Sequence, residues 1–368
     1  MDFSNTNRRR IAVLSGDGIG PEVVGSAAAV LNAAAARHDI GLDLVAGLIG
    51  GAAIEATGEP LPAATLDLCR DSDAVLFGAT GGPRWDHLRG GARPGSALLR
   101  LRRELGLAVN LRPVRFRQGL AGHAPVRADL AAGTDFIIVR ELTGGVYFGE
   151  QGRSGAGGAE RAFDTMAYTR REIRTAVSYA LGLARQRGRR LVSVDKANVL
   201  ASSRLWREVA SAEAGRFPDV HVTHQLVDSF AFFMLCRPAA LDVVVTENLF
   251  GDILSDEAAA IAGSLGVLGS ASLNPGGGPG LYEPVHGSAP DIAGRGIANP
   301  IGAIESAALL LEHSLAAPAA ARAVRQAVDA VIDAGILPAD LGGGATTAEI
   351  TDAVLSRLAV AVNMGVRA

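Results

Sequence analysis

Residues 8–38 read RRRIAVLSGDGIGPEVVGSAAAVLNAAAARH, and this stretch decides the fold class. The apolar run 11–14 predicts a short buried strand, a glycine-rich turn follows, and the alanine-rich remainder predicts a helix. A strand that passes through such a turn into a helix is the opening of a layered α/β protein. Pro21 suits the first turn of the helix, where a backbone N–H would lack a partner. The glycines do not have the G-x-G-x-x-G spacing, so the Rossmann dinucleotide fingerprint is absent.

Four further stretches repeat the pattern of an apolar run followed by polar or glycine residues. They are SDAVLFGATGG (72–82), GTDFIIVRELTGG (133–145), RRLVSVDKANVL (189–200) and ALDVVVTENLFGD (240–252). Helical patterns lie between them, which predicts an open α/β sheet. Ligands of such sheets bind where the strands end, so the polar residues after each run are the candidates for chemistry. The glycine-rich pieces 152–160 and 273–284 predict loops.

Composition narrows the class of protein. A chain of 368 residues exceeds what one hydrophobic core usually supports, which predicts two domains. The formal net charge of −3 provides no field for a polyanion, so we expect small molecules and not nucleic acid as partners. No apolar run approaches the roughly 18 residues of a membrane span, so no membrane association is expected. Two cysteines in unrelated segments, Cys69 and Cys236, favour a reducing compartment and predict the cytoplasm.

The segment ENLFGDILSDEAAA (247–260) carries two aspartates, Asp252 and Asp256, one helical turn apart. Residues at i and i+4 share a helix face, so these carboxylates repel each other unless a positive charge lies between them. Asp228, on the otherwise apolar segment HQLVDSFAFFML (224–235), is a third candidate. Mg²⁺ or Mn²⁺ prefers such oxygen ligands and would supply the charge. The alternative is that each acid caps a helix or pairs with an arginine.

Three arginines are candidates to bind an anionic substrate. Arg102 falls on the apolar face of the helix predicted for SALLRLRRELG (96–106), where its guanidinium needs an anionic partner. Arg112 in NLRP and Arg140 after FIIV can converge on the same anion. Each guanidinium can bind a carboxylate through two hydrogen bonds. A structural salt bridge with a packed side-chain stem is the alternative for each.

Two residues are candidates for proton transfer. A lysine desolvated at a strand end, such as Lys196, can titrate low enough to move a proton, and Asp195 beside it is placed to hold its charge. Tyr147, after a glycine turn, can donate a proton to an enolate. The alternatives are a lysine with a packed stem and a tyrosine at the edge of the core.

The stretch YEPVHGSAPDIAGRGIANP (282–300) has neither helical nor strand period. Long ordered loops usually serve binding. Within it, Asp291 can accept hydrogen bonds from ribose hydroxyls and would repel a 2′-phosphate. His286 and Asn299 are further polar candidates. Turns closed by an Asx side chain, without a ligand, are the alternative.

Six segments together resemble the β-decarboxylating dehydrogenase family that includes isocitrate and 3-isopropylmalate dehydrogenases. They are LSGDGIGPEV (14–23), LLRLRRELGLAVNLRP (98–113), VRELTGGVYFGE (139–150), VDKANVL (194–200), NLFGDILSDE (248–257) and EPVHGSAPDIAGRGIANP (283–300). They follow the family's order and span almost the whole chain. The resemblance implies two α/β domains: 1–107 with 263–368 on the cofactor side, and 108–262 as an inner domain with dimer contacts.

The resemblance also implies a homodimer with shared active sites. Asp252 and Asp256 would hold Mg²⁺ or Mn²⁺ together with Asp228 of the partner subunit. Lys196 would likewise come from the partner. Dimerisation would then be a requirement of catalysis.

The implied reaction is the NAD⁺-dependent oxidative decarboxylation of 3-isopropylmalate to 4-methyl-2-oxopentanoate and CO₂, a step of leucine biosynthesis. The metal lowers the pKa of the substrate hydroxyl and stabilises the enolate that forms as CO₂ departs. Lys196 is the implied route for the hydroxyl proton, and Tyr147 is the implied acid that protonates the enol carbon. The substrate would be bound by Arg102, Arg112, Arg140 and Asp228.

The same resemblance assigns the cofactor to the loop near residue 290. The implied NAD contacts are His286, Gly287, Ser288, Ala289, Asp291 and Asn299. NADP-dependent members carry basic or phosphate-accepting groups where this chain has Asp291 and Ile292. The chain is therefore predicted to use NAD⁺.

The substrate side chain is the open point. Leu98 and Leu99, with Val199 of the partner subunit, imply an apolar pocket that suits an isopropyl group. Gly95, however, stands where isopropylmalate-specific members typically carry a glutamate. This departure keeps a related dehydrogenase for another 3-substituted malate, homoisocitrate, tartrate or D-malate as an alternative, and a non-catalytic regulatory relative as a third.

Overall fold

A computed structural model describes residues 8–365. Its strands are β1 (Arg9–Gly16), β2 (Leu42–Ala46), β3 (Ala74–Ala79), β4 (Val109–Arg115), β5 (Asp135–Glu141), β6 (Gln151–Ser154), β7 (Arg161–Asp164), β8 (Arg190–Asp195), β9 (His221–Leu226), β10 (Val243–Thr246), β11 (Gly269–Leu273) and β12 (Gly280–Pro284). Its helices are α1 (Gly20–Ala36), α2 (Gly51–Thr57), α3 (Ala63–Arg70), α4 (Pro94–Glu104), α5 (Ala128–Ala131), α6 (Arg170–Gln186), α7 (Ala201–Ala214), α8 (Val227–Cys236), α9 (Asn248–Ala262), α10 (Ile301–His313), α11 (Pro318–Asp333) and α12 (Thr347–Gly365). The α/β fold class predicted from the sequence is confirmed.

The described chain divides into two compact units. Unit 1 comprises residues 8–106, 117–125 and 262–365, and unit 2 comprises 107–116 and 126–261. The segment 117–125, which the sequence placed in the inner domain, belongs to unit 1. The roles assigned to the two predicted domains stay predictions.

Unit 1 contains the opening strand and helix of the sequence. Its strands have the order β2-β1-β3-β12-β11, in which β11 runs antiparallel to β12 and the other pairs are parallel. Every residue of β3 is buried, as expected for a parallel strand covered on both faces. Pro21 lies in the first turn of α1, as predicted. The glycine-rich stretch 273–284 is not a loop throughout, because its last five residues form β12.

The central helix of unit 1 is α10. Its residues 301–311 are all buried, and it packs against α1, α11, β11 and β12. A helix that is apolar on nearly all sides is stable only in an interior. Its buried acid, Glu305, is paired with Arg117, which ties segment 117–125 to this helix.

Unit 2 has the strand order β4-β5-β10-β8-β9, with β4 antiparallel to β5 and the other pairs parallel. Thr246 at the end of β10 lies beside Arg140 of β5 and Val194 of β8. The three strands therefore deliver their following polar residues to one edge of the sheet. Separately, β6 and β7 form an antiparallel hairpin. The prediction of a loop over 152–160 is wrong for residues 152–154, which belong to β6, whereas 155–160 connect the two strands. The strands are mostly exposed and carry no apolar pattern that would mark them in the sequence.

Candidate active site

The two predicted metal-binding acids lie on α9. The Asp256 side chain is about half exposed (55%) and that of Asp252 about one third (34%). Both carboxylates face Arg112, with nitrogen–oxygen separations of 3.8 Å to each. Asp252 also forms an ion pair with Arg140. Two guanidinium groups thus supply the positive charge that the spacing of the acids demands.

Strand register explains why these arginines meet the acids. Asn110 of β4 lies directly opposite Arg140 of β5, and Arg112 is two residues further along β4. Opposite residues of paired strands, and residues two apart on one strand, share a face of the sheet. The Arg112 Nε donates to Asn110 Oδ1 (2.6 Å), and the Arg140 Nε donates to Asn248 Oδ1 (3.0 Å). These hydrogen bonds orient the guanidinium groups of Arg112 and Arg140 toward α9.

Tyr147 joins the same cluster. Its hydroxyl donates to Asp252, and the Arg140 guanidinium carbon lies 5.2 Å from the centre of its ring. Partial burial, and then the negative charge of Asp252, raise the pKa of Tyr147 above its ordinary value. The phenol therefore holds its proton at neutral pH, which suits a proton donor.

The two carboxylates of Asp252 and Asp256 fit a hard divalent cation. Burial raises the pKa of Asp256, and the nearby negative charge of Asp252 acts in the same direction. A cation between the two carboxylates would relieve that repulsion. Within the part of the chain that the structure describes, no three His, Cys, Asp or Glu side chains converge on one point. A cation bound there would take several oxygen ligands besides these two carboxylates.

Lys196 and Asp228 form a pair of their own. Lys196 follows β8, and its ammonium donates to Asp228 in the first turn of α8. This hydrogen bond lowers the pKa of Asp228. The expectation that Asp195 holds the lysine's charge is wrong, because the Asp195 carboxylate accepts two hydrogen bonds from Arg207 (2.8 and 2.9 Å).

In unit 1, Arg102 is buried, as its place on the apolar face of α4 predicts. Its Nη2 donates to Glu283 at 2.7 Å, and both side chains are less than one tenth exposed. The buried Arg102 Nε has no partner among the described residues, so this guanidinium keeps one N–H group that can donate to a ligand. Leu98 and Leu99 are half-buried on the same helix. Gly95 is exposed, and a Cβ there would meet no atom within 4 Å, so packing does not require a glycine.

The predicted cofactor loop is fixed by the glycine motif of the first strand and turn. The Ile19 N–H donates to the Ser288 carbonyl (2.8 Å), and a Cβ on Gly18 would lie 1.9 Å from that oxygen. Glu22 accepts hydrogen bonds from the backbone N–H groups of Gly294 (2.5 Å) and Gly296 (3.0 Å). The motif therefore holds the loop in place.

Within the loop, the predicted residues differ in what they offer a ligand. Burial lowers the pKa of His286, and its Nε2 is buried without a partner among the described residues. This orphaned nitrogen fits a site for a polar ligand group. Asp291 is exposed and available to hydroxyl donors. Asn299 is engaged elsewhere, since it accepts from the Ile301 N–H and donates to Asp340, both at 3.0 Å.

Comparison with known proteins decides the family. The family model described as isocitrate/isopropylmalate dehydrogenase matches residues 10–354. The chain belongs to this family. The family resemblance stated from the sequence is thereby confirmed, and the protein is a dehydrogenase of this type.

Relatives and solved structures agree over nearly the full length. The chain is 52% identical over 351 residues to the 3-isopropylmalate dehydrogenase of Anaeromyxobacter dehalogenans, covering 95% of this chain and 99% of the relative. It is 53% identical over 368 residues to that of Geobacillus kaustophilus, covering 98% and 99%. The crystal structure of isocitrate dehydrogenase from Methylococcus capsulatus superposes with a TM-score of 0.84 at 34% identity, covering 95% and 99%. That of a β-decarboxylating dehydrogenase from Thermococcus kodakarensis gives 0.80 at 38%, covering 98% and 99%.

Sequence reasoning missed several residues that support these groups. Asn248 orients Arg140, Glu283 pairs with Arg102, and Glu22 holds the cofactor loop. All three stand inside segments that carried the family resemblance, but their partners are distant in sequence. Only the strand register and the fold reveal them.

Proposed function

We propose that this protein catalyses the NAD⁺-dependent oxidative decarboxylation of 3-isopropylmalate to 4-methyl-2-oxopentanoate and CO₂ in leucine biosynthesis. The observation that carries the proposal is the cluster of Arg112, Arg140 and Tyr147 around Asp252 and Asp256. The cluster combines carboxylate-binding forks, oxygen ligands and a protonated phenol. The high identity to relatives named 3-isopropylmalate dehydrogenase supports this choice of substrate.

Substrate binding and proton transfer are assigned to different residues. Arg102, Arg112 and Arg140 bind the substrate carboxylates, since each guanidinium is held in place by a polar partner. Lys196 of the partner subunit, beside that subunit's Asp228, is the route for the hydroxyl proton, which its neutral amine form accepts as the alcohol is oxidised. Tyr147 gives its proton to the carbon that has lost CO₂.

Two cofactors belong to this proposal. Mg²⁺ or Mn²⁺, held by Asp252 and Asp256 with Asp228 of the partner subunit, polarises the substrate oxygens when bound, and NAD⁺ accepts the hydride. Residues 286–289, with Asp291 and Asn299, form the NAD⁺ site. The free His286 Nε2 and the exposed Asp291 carboxylate support that assignment, and Asn299 would contribute through its place at the start of α10.

The proposed assembly is a homodimer that shares its active sites. Val199 (62%), Phe232 (64%) and Ile253 (58%) are large apolar residues of unit 2 that stand exposed in the single chain. Exposed apolar side chains on neighbouring elements mark a surface for another protein. Ile253 is adjacent to Asp252, so a partner covering it would also approach the acids.

The cytoplasm remains the proposed location. Both cysteines are free thiols, which is the state that a reducing compartment maintains. Burial raises the pKa of the Cys69 thiol to about 12. No helix in residues 8–365 has the length and apolar character needed to cross a membrane.

A substrate panel tests the reaction. Purified protein with Mn²⁺ should reduce NAD⁺ in the presence of 3-isopropylmalate. A chelator should abolish the increase in absorbance that accompanies NADH formation. We expect NAD⁺ to be preferred over NADP⁺, because the Asp291 carboxylate repels a 2′-phosphate. If the protein oxidises neither 3-isopropylmalate nor another 3-substituted malate, homoisocitrate, tartrate or D-malate, the proposed reaction is contradicted. A preference for NADP⁺ would contradict the proposed cofactor.

Gly95 favours a second candidate, a dehydrogenase for another 3-substituted malate, homoisocitrate, tartrate or D-malate. A Cβ at Gly95 would meet no atom within 4 Å, so the helix has room for a larger side chain at this position. Rates with these acids in the same panel separate the two candidates. A higher kcat/KM for one of them than for 3-isopropylmalate would favour the second.

The anchor at Glu22 yields a prediction specific to the cofactor. Glu22→Gln replaces a carboxylate that accepts two backbone N–H bonds with an amide that has one acceptor oxygen. We expect the KM for NAD⁺ to rise about tenfold, the effect of one charge-assisted hydrogen bond, while the KM for the hydroxy acid is unchanged. Glu59→Gln, an exposed glutamate of the same unit, is the control. An unchanged KM for NAD⁺ would remove the loop-anchoring role of Glu22.

A further inference from the structure

Two buried carboxylates and one tyrosine surround the start of α9 and take no part in the proposed chemistry. Glu141 is 1% exposed and Glu247 3% exposed. Burial raises the pKa of each of them. The Tyr168 hydroxyl donates to the Glu247 Oε2 at 3.1 Å. Burying two acids so close together is costly, so the arrangement calls for a specific reason.

The contacts of Glu247 are directed at the first turn of α9. Its Oε1 accepts from the Phe250 N–H (2.6 Å), and its Oε2 accepts from the Leu249 N–H (3.1 Å). The Tyr168 hydroxyl in turn accepts from the Asn248 N–H (3.0 Å). Three backbone donors that a helix start leaves without intrahelical partners are thus satisfied by one carboxylate and one phenol.

This fixed turn leads directly to the candidate active site. Asn248 accepts from Arg140 and donates to the Gly144 carbonyl (3.0 Å). Asp252 lies one helical turn further along α9 and contacts both Arg140 and Tyr147. A rotation or shift of the first turn would therefore move Asn248, Arg140 and Asp252 together.

We infer that Tyr168 and Glu247 are positioning residues, which set the rotation and height of α9 so that Asp252 and Asp256 face Arg112 and Arg140. Glu141 extends this support. It accepts from the backbone N–H groups of Thr143 (2.6 Å) and Gly144 (3.0 Å), and so fixes the turn whose carbonyl binds Asn248. The inference rests on the proposed function, since it assigns the acids to a metal.

An ordinary helix cap is the competing explanation. A cap alone stabilises the helix, and one short side chain usually suffices for it. The chain instead uses the fully buried Glu247 and a tyrosine from 79 residues away. The Tyr168 ring also packs edge-on against Trp206, with centroids 5.9 Å apart, which holds the hydroxyl in place. The hydroxyl can therefore be removed without loss of this packing.

Tyr168→Phe tests the inference. Loss of support around a metal site typically lowers metal affinity or activity tenfold or more. We expect the apparent Kd for Mn²⁺ and the KM for the hydroxy acid to rise about tenfold, with the KM for NAD⁺ unchanged. Hydrogen exchange of the α9 amide groups should be faster than in the unmodified protein. Glu247→Gln is expected to act in the same direction.

Tyr282→Phe is the matched control. It also removes a buried tyrosine hydroxyl, one that lies 2.7 Å from Ser314 Oγ in unit 1. We expect it to lower the melting temperature without changing Mn²⁺ affinity. If Tyr168→Phe behaves like this control, or leaves the exchange of α9 unchanged, the inference is overturned while the proposed function stands. If the unmodified protein oxidises none of the acids, the proposed function fails, and faster α9 exchange with weaker Mn²⁺ binding would still support the positioning role.

Discussion

An Asp252→Asn variant is expected to lose turnover by about 10³-fold while remaining folded. The Asp252 carboxylate forms an ion pair with Arg140, accepts a hydrogen bond from Tyr147 and faces Arg112, so its negative charge interacts with all three groups. Asparagine keeps the shape of the side chain and removes the charge that a divalent cation requires. A cation contributes several kcal/mol of charge stabilisation to such reactions, and about 4 kcal/mol corresponds to 10³ in rate.

Folding should survive this change. The Asp252 side chain is one-third exposed, and Arg140 keeps its bond to Asn248. We expect the free energy of unfolding to fall by about 2 kcal/mol, the value of one hydrogen bond to a charged group. NADH absorbance measures kcat, and circular dichroism measures the unfolding transition. The mutation therefore separates catalysis from stability.

Asp219→Asn provides the control for Asp252→Asn. Asp219 is also a carboxylate of unit 2 paired with an arginine, Arg185, at 2.6 and 2.9 Å, but it lies on the surface away from the cluster. We expect its kcat to equal that of the unmodified protein. Turnover of Asp252→Asn at a similar rate would exclude Asp252 as a metal ligand.

Those parts of the fold that depend on neighbouring residues were predictable from the sequence. The apolar run and glycine turn of residues 8–38 predict β1 and α1, and Pro21 predicts where α1 begins. The hairpin β6–β7 was not predictable. Its stability depends on pairing between residues 151–154 and 161–164, whose exposed side chains lack the apolar alternation that marks a strand.

The candidate site was predictable in residue type but not in pairing. Acids and arginines after apolar runs indicate a site because parallel strands end at one edge. The sequence does not show that Arg112 faces both Asp252 and Asp256, since that depends on the register of β4 against β5. It likewise does not show that Arg102 pairs with Glu283, because 181 residues separate them.

For two candidate residues, the hydrogen-bond partners could not be read from the neighbouring sequence. Lys196 pairs with Asp228 rather than with the adjacent Asp195, because α8 brings Asp228 to the lysine and Arg207 binds the Asp195 carboxylate. Asn299 bonds Asp340 and the start of α10, contacts that its place in the loop sequence does not indicate. In both cases the partner lies on another element, which local patterns do not reveal.

Arg117→Met is expected to cause the largest loss of stability, about 3–5 kcal/mol in the free energy of unfolding. Arg117 is 8% exposed and pairs with Glu305, inside α10, and with Asp329 of α11 at 2.9 Å. Methionine fills a similar space but leaves the Glu305 charge buried. Arg325, 3.8 Å from Glu305, is too distant to replace the lost hydrogen bond. Urea unfolding followed by fluorescence measures the change.

Two further variants separate the buried charge from lost packing. Arg127→Met removes an exposed arginine paired with Asp129 and should leave the urea unfolding midpoint almost unchanged. Combining Arg117→Met with Glu305→Gln removes both charges and should recover part of the loss, because no unpaired carboxylate then remains in α10. A double variant that is less stable than Arg117→Met alone would show that the guanidinium acts mainly by packing. Recovery would show that the loss in Arg117→Met comes from the uncompensated charge of Glu305.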